Sequence, residues 1–213
     1  MSDETDPRFS AAFWDQRYST TRPLWSGDPN PALVEEVAAL VPGTALEVGC
    51  GEGADAIWLS GQGRQVTGTD FSAQALLRAA EHTPNALAGR LTWQQADIRD
   101  WKPGDTPRYD LVTASFNHFP QPVRRTVFTA LADRVNPEGH LVIIGHHPGD
   151  LDTTMPRPPE PGLFYTADDL IADHLPAPTW KVVTRAARPR AAITPDGTPV
   201  TIHDTVLTAH RAQ

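Results

Sequence analysis

From residue 45 onward the chain alternates between short apolar runs and longer stretches whose apolar residues recur at helical spacing. Ala45–Val48, Gln65–Thr69, Leu91–Gln95, Tyr109–Ala114 and His140–Ile144 have the length and composition of buried strands. Between the last two, Pro122 to Arg134 predicts a helix, with Val123, Val127, Leu131 and Val135 at helical spacing. Upstream, Phe9–Tyr18 predicts a short amphipathic helix with Phe9, Phe13 and Trp14 on its apolar side. A polar loop from Ser19 to Pro31 follows, with Trp25 inside it, and then a helix over Pro31–Leu40, capped by Asn30 with Pro31 in its first turn. After the fifth strand the pattern stops. Five prolines between Pro148 and Pro161 and no periodicity predict a loop. Thr166 caps a predicted helix over Ala167–Leu175, and two strand-like runs, Trp180–Thr184 and Val200–Leu207, flank an Asp196-Gly197 turn.

Strands alternating with helices imply a parallel sheet with right-handed crossovers. The 213 residues suit one large α/β domain: residues 1–42 as a helical cap, 43–147 as the core, 148–165 as the proline-rich loop, and 166–213 as a closing helix and hairpin. No internal repeat is visible. A hydrophobic content of 39% and a charged content of 21% fit a soluble globular chain with a sizeable core. The formal net charge of −8, with no basic stripe, argues against a nucleic-acid backbone as partner. The longest apolar runs, such as Leu141–Ile144, fall far short of a membrane span, and the acidic start Met1–Asp6 does not have the pattern of a signal peptide. The expected compartment is the cytoplasm. The single cysteine, Cys50, excludes an internal disulfide or a cysteine-rich metal site.

The chemistry concentrates where the first strand ends. In Glu47-Val48-Gly49-Cys50-Gly51-Glu52-Gly53 an apolar run breaks into three glycines at alternate positions, and a helical segment, Ala54–Leu59, follows at once. A strand, a tight turn and a helix start present backbone to a small ligand, and glycines let that backbone come close. The spacing is G-x-G-x-G and not the G-x-G-x-x-G of dinucleotide sites. About twenty residues on, Asp70 ends the second strand, where a βαβ unit returns to the same sheet edge. There it would accept from ribose hydroxyls, with Phe71 against an adenine; the alternative is a cap for the helix at 72–77. After the third strand Ala96-Asp97-Ile98 offers an acceptor for an adenine amine and an apolar wall, or an ordinary turn. Ser115 ends the fourth strand. Cys50 has no histidine nearby in sequence, so it reads as a small loop residue and not as a nucleophile.

These motifs resemble those of class I S-adenosylmethionine-dependent methyltransferases, over the whole chain from Pro31 to the end. The resemblance implies a Rossmann-like seven-stranded sheet, mostly parallel, with an antiparallel last strand and helices on both faces. It implies S-adenosylmethionine as cofactor and S-adenosylhomocysteine as product, with Glu47, Gly49, Cys50, Gly51, Gly53, Asp70, Phe71, Ala96, Asp97, Ile98 and Ser115 around the cofactor. Phe13-Trp14-Asp15-Gln16-Arg17-Tyr18, then Leu24-Trp25-Ser26-Gly27, is similar to the opening segment of the thiopurine and tellurite-resistance methyltransferases. That likeness places Trp14, Tyr18 and Trp25 over the cofactor's methionine end; a cover for the sheet edge is the other reading.

Methyl transfer from a sulfonium is an in-line displacement that depends chiefly on positioning. Acceptor-side candidates follow from strand ends: Asn117 and His118 after the fourth, His146 and His147 after the fifth. His118 is the first candidate for a base or substrate orienter and His146 the second. No carboxylate pair frames the histidines at metal-ligand spacing, so no metal is expected. The run Ser115-Phe116-Asn117-His118-Phe119-Pro120 lacks the Asn-Pro-Pro-aromatic pattern by which nucleic-acid amino-methylating enzymes hold a flipped base. The expectation is a small-molecule acceptor methylated at a heteroatom by a monomer or homodimer, with no nucleic acid and no membrane. Two rivals remain: a nicotinamide-dependent oxidoreductase, and a cofactor-binding protein without catalysis.

Overall fold

A computed structural model describes residues 6–20, 22–102, 104 and 107–213; the acidic start at residues 1–5 and Thr21 of the predicted loop lie outside them. Its centre is a seven-stranded sheet in the order β3-β2-β1-β4-β5-β7-β6. The strands are β1 (Thr44–Val48), β2 (Gln65–Asp70), β3 (Leu91–Gln95), β4 (Tyr109–Ser115), β5 (Val135–His146), β6 (Trp180–Ile193) and β7 (Pro199–Arg211). The first five run parallel, and β7 inserts antiparallel between β5 and β6. This is the sheet the resemblance implies.

The order reverses at β1, which has β2 on one side and β4 on the other. A crevice forms at such a switch point, beyond the carboxyl ends of the strands. Helices α2 (Pro31–Val37) and α3 (Ala54–Gly61) cover one face through Leu33, Val37, Ala56 and Leu59 against Ala45, Leu111, Val142 and Val206. Helices α5 (Gln121–Asp133) and α6 (Ala167–His174) cover the other through Val127, Phe128, Leu131 and Leu170 against Leu46, Val112, Ile143 and Leu207. The central strands are buried on both faces, which is why they read as continuous apolar runs. Helix α4 (Ala73–His82) packs by β2 and β3, and α1 (Ala11–Tyr18) packs on α4.

Four boundaries differ from the sequence expectation. The first predicted helix is a 3₁₀ turn at Pro7–Phe9 followed by α1, because the Ser10 hydroxyl accepts from the Phe13 N–H at 3.2 Å and caps a new helix start. Helix α2 ends at Val37, three residues short of Leu40; the buried Arg64 guanidinium donates to the Leu40 and Val41 carbonyls just beyond it. Strand β5 starts at Val135, before the apolar run. Its pairing slips between Tyr109/Val135 and Leu111/His140, where Pro137 has no N–H to give and Glu138 has φ +63°. In the hairpin, β6 runs on to Ile193, well past the predicted apolar run, because it is an edge strand that needs little burial, while β7 starts one residue before its predicted run and continues to Arg211. Within the proline-rich loop the chain makes 3₁₀ turns at Pro148–Asp152 and Pro161–Leu163.

Candidate functional site

The turn between β1 and α3 lies at the switch point. Gly49, Gly51 and Gly53 all have positive φ, +65°, +52° and +90°, so any other residue there is strained. Space matters too. A Cβ on Gly49 would stand 2.5 Å from the Asn117 side-chain oxygen, and one on Gly51 would stand 2.9 Å from the Tyr18 hydroxyl. Asn117 is held there by donating to the Val48 carbonyl at 2.9 Å. Cys50 is buried, and burial together with the nearby Asp70 and Glu47 pushes its thiol well up, which leaves it inert at neutral pH.

Carboxylates surround this turn. Asp70, at the tip of β2, accepts from Gly51 N–H and Ser72 N–H, both at 2.9 Å, and burial raises its pKa. One carboxylate thus ties the glycine turn to the start of α4. Ser72 is the residue that caps α4, accepting from the Ala75 N–H. Glu47 lies in β1 with its carboxyl buried against the Thr113 hydroxyl, and burial and Asp55 raise its pKa well above the usual range. Asp55, in the first turn of α3, accepts from the Ser115 hydroxyl at 3.0 Å and from the Asn30 N–H at 2.7 Å.

The N-terminal segment is docked over the turn by residues whose role the sequence pattern did not show. Asp15 of α1 accepts from the Ser72 hydroxyl at 2.6 Å and the Gln74 N–H at 3.1 Å. Glu52, inside the glycine turn, accepts from the Leu24 and Trp25 N–H groups at 3.0 and 3.1 Å and pairs with Arg78 at 2.5 Å. The Trp25 indole donates to the buried Tyr18 hydroxyl at 3.0 Å, and the Trp14 ring lies 5.9 Å from Tyr18 and 6.5 Å from Trp25. Tyr18 is buried, Trp14 is intermediate, and Trp25 is 52% exposed.

Other predicted residues sit differently. Asp97 is bound by the Arg99 guanidinium and by its backbone N–H, which holds the carboxyl below its ordinary range, so its acceptors already have a cation. Ile98 is a core residue at 7% exposure, turned into the cluster under α5 and not outward as a wall. Ala96 donates its N–H to the Asp70 carbonyl, and Phe71 gives its carbonyl to Gln95. His118 has both ring nitrogens engaged: Nδ1 donates to the Leu163 carbonyl at 3.0 Å, and Nε2 accepts from the His146 N–H at 3.3 Å. Loss of water around the ring brings its pKa down to about 4. The first candidate base therefore has no free lone pair in this arrangement. His147 caps the turn after β5 by accepting from the Gly149 N–H. His146 stacks on His118 at 4.9 Å between ring centroids and meets Phe116 at 4.7 Å, while its Nδ1 is buried without a partner. Among the described residues no cluster of His, Cys, Asp or Glu could hold a metal ion. A cavity of about 220 Å³ lined by Arg8, Phe9, Pro120 and Glu160 touches none of the predicted site residues.

Acidic groups and aromatic rings suit a ligand that is cationic and rich in hydroxyl donors. Phosphates, by contrast, would meet Glu47, Asp55 and Asp70, and the Arg78 guanidinium at the turn is already paired with Glu52.

Comparison with known proteins agrees with this chemistry. A family profile described as a methyltransferase domain matches residues 45–139. A ubiquinone biosynthesis O-methyltransferase of Alkalilimnicola ehrlichii is 30% identical over 173 residues, 77% of this chain; the chain spans 64% of that relative's length. A solved structure concerned with the conversion of a disulfide bond into a thioacetal group during echinomycin biosynthesis is 25% identical, with a TM-score of 0.70, covering 97% of this chain and 91% of the other. The N-methyltransferase NodS of Bradyrhizobium japonicum, in complex with S-adenosyl-L-homocysteine, shares the fold at 17% identity and a TM-score of 0.69, covering 95% of this chain and 98% of NodS.

Proposed function

We propose that the chain is a class I S-adenosylmethionine-dependent methyltransferase and that it transfers a methyl group from that sulfonium to a heteroatom, an oxygen in the first instance, of a small-molecule acceptor. The observation that carries this reading is the G-x-G-x-G turn at the sheet's switch point, ringed by Asp70, Glu47 and Asp55 and roofed by Tyr18, Trp14 and Trp25. An oxygen acceptor has the support of the O-methyltransferase relative. Bound there, S-adenosylmethionine supplies an activated methyl group.

This chain's own residues do the rest. Asp70 offers its remaining lone pairs to ribose hydroxyls, the glycine turn admits the ligand without Cβ contact, and the aromatic roof faces the sulfonium and keeps water out. Positioning of this kind supplies on the order of 7–11 kcal/mol in well-oriented reactions. The net charge of −8 and the missing Asn-Pro-Pro-aromatic run argue against nucleic acid as acceptor. No helix among the described residues is long and apolar enough to cross a membrane.

A melting experiment with S-adenosylhomocysteine, NAD and NADP in parallel tests the assignment. A ligand at 100 times its dissociation constant adds about 2.7 kcal/mol. S-adenosylhomocysteine is expected to raise the melting temperature by several degrees and the nicotinamide cofactors to leave it unmoved. Stabilisation by NAD alone overturns the reading.

A further inference from the structure

Three of the buried side-chain polar atoms without a hydrogen-bond partner gather at one place, the end of β5 and the facing start of β7. They are His146 Nδ1, Asp204 Oδ1 and Arg157 Nε. His146 and Asp204 are directly paired across the two antiparallel strands, so their side chains share one face of the sheet. Arg157 reaches the same place from the proline-rich loop: its guanidinium donates to Asp150 Oδ2 at 3.1 Å, and its charge acts on both His146 and Asp204. Asp150, fully buried, also accepts from the His203 N–H at 2.8 Å, next to Asp204. The other oxygen of Asp204 accepts from Arg190 Nε at 2.7 Å.

A buried polar atom without a partner costs free energy, and a folded chain seldom tolerates three together unless something meets them. Structural pairing does not account for them. Arg190 and Asp150 each satisfy one atom of these charged groups and leave Asp204 Oδ1 and Arg157 Nε over. The surroundings are also those of an acceptor site. His118 and Phe116 flank the His146 ring, with Phe164 and Tyr165 on the far side of His118. Asn117, which touches the glycine turn, accepts from the Tyr165 hydroxyl through its carbonyl at 3.2 Å. The cluster therefore borders the methyl end of the proposed cofactor site.

We propose that Asp204, together with His146 and Arg157, binds the hydroxyl of a flat, aromatic-type acceptor and that Asp204 takes its proton during transfer. The inference rests on the methyltransferase reading above. The acceptor O–H donates to Asp204 Oδ1, the oxygen's lone pair accepts from Arg157 Nε, and the ring lies by Phe116 and His146. As the oxygen–carbon bond forms, the carbon–sulfur bond breaks, its electron pair stays on sulfur, and the proton passes to the Asp204 carboxylate. Sulfonium, alcohol and carboxylate become thioether, methyl ether and carboxylic acid, so charge and atoms balance. Arg190 is the positioning residue that holds the carboxylate towards the acceptor.

The test uses the full chain saturated with S-adenosylhomocysteine, with phenol as probe and anisole as the same ring without the O–H donor. Ligand-observed NMR titration is expected to show phenol bound and anisole at least about tenfold weaker, the size of one well-made hydrogen bond. In Asp204→Asn, which keeps an acceptor for Arg190, the preference for phenol should fall to near unity while affinity for S-adenosylhomocysteine is unchanged. Should that variant not fold, ¹⁵N-histidine labelling of the wild-type chain gives a second readout: the Nδ1 resonance of His146 moves on adding phenol and not on adding anisole. Phenol that fails to bind, binds no better than anisole, keeps its preference in Asp204→Asn, or leaves the His146 resonance in place overturns the inference. Failure of S-adenosylhomocysteine to bind in the same samples instead overturns the methyltransferase reading itself.

Discussion

His118 shows how much a single side chain's partners decide. By position it is the natural base, directly after β4, yet its two nitrogens are used by the Leu163 carbonyl and the His146 N–H. It joins the loop before α6 to the end of β5 in its neutral form. The consequence is measurable. The folded ring titrates near 4 and an unperturbed one near 6.5, so between those values the unfolded chain binds the extra proton and falling pH favours unfolding. Going from pH 7 to 5, this histidine should cost on the order of 2 kcal/mol of stability. The raised carboxyls of Glu47, Asp55 and Asp70 shift stability the other way, so the comparison must be between chains. In His118→Asn the melting temperature should fall less steeply than wild type over pH 6.5 to 4.5. Parallel slopes would show that His118 is already solvated and free.

At the scale of elements, the N-terminal segment is attached to the turn by carboxylates. Asp15 holds α1 to the start of α4, and Glu52 holds the Leu24–Trp25 backbone to the glycine turn, with Arg78 compensating its buried charge. Few other tethers fix the stretch from residue 22 to Pro29, so it belongs to the less stable parts of the fold. Glu52→Gln removes the charge that both N–H groups and Arg78 share. Hydrogen exchange across residues 22–27 should then speed up by at least about tenfold, the equivalent of one hydrogen bond, while β4 exchanges as before. Adding S-adenosylhomocysteine to the wild-type chain should slow exchange in the same segment, as closure over a ligand requires. Equal protection in all three samples would make Trp14, Tyr18 and Trp25 a permanent part of the core.

For the molecule as a whole, the last strand is the one that completes the sheet. β7 is the strand that joins β6 to the sheet, and it also covers β5 and supplies Val206 and Leu207 to the two cores. A chain ending at Gly197 leaves β5 as an open apolar edge and strips β6 of its sole strand partner. Such a chain should show no cooperative thermal unfolding by circular dichroism. A sharp transition would mean that residues 1–175 carry a self-sufficient core.

The sequence alone determined the parts of this protein that depend on neighbours along the chain. The alternation of short strand-like runs with helical stretches placed β1 to β4 within a residue or so; β1 and β4 are mostly buried, and even the half-exposed edge strand β3 is bounded by its neighbours along the chain. The glycine turn was legible for a similar local reason: three positive φ values in five residues admit little besides glycine. Length was misread where local apolarity and burial part company, as at the Pro137 bulge of β5 and along the edge strand β6. What only the tertiary structure decided is who partners whom. Asp97 and His118 stand at expected strand ends but are taken by Arg99, Leu163 and His146, and Ile98 turns into the core. Asp15, Glu52, Asp150, Arg157 and Asp204 carry no local pattern, since each acquires its partner from a segment distant in sequence or from a fold-specific pairing. Periodicity reports which face of an element is dry; it holds no information on which polar atoms meet there, because that depends on how separate elements are brought together.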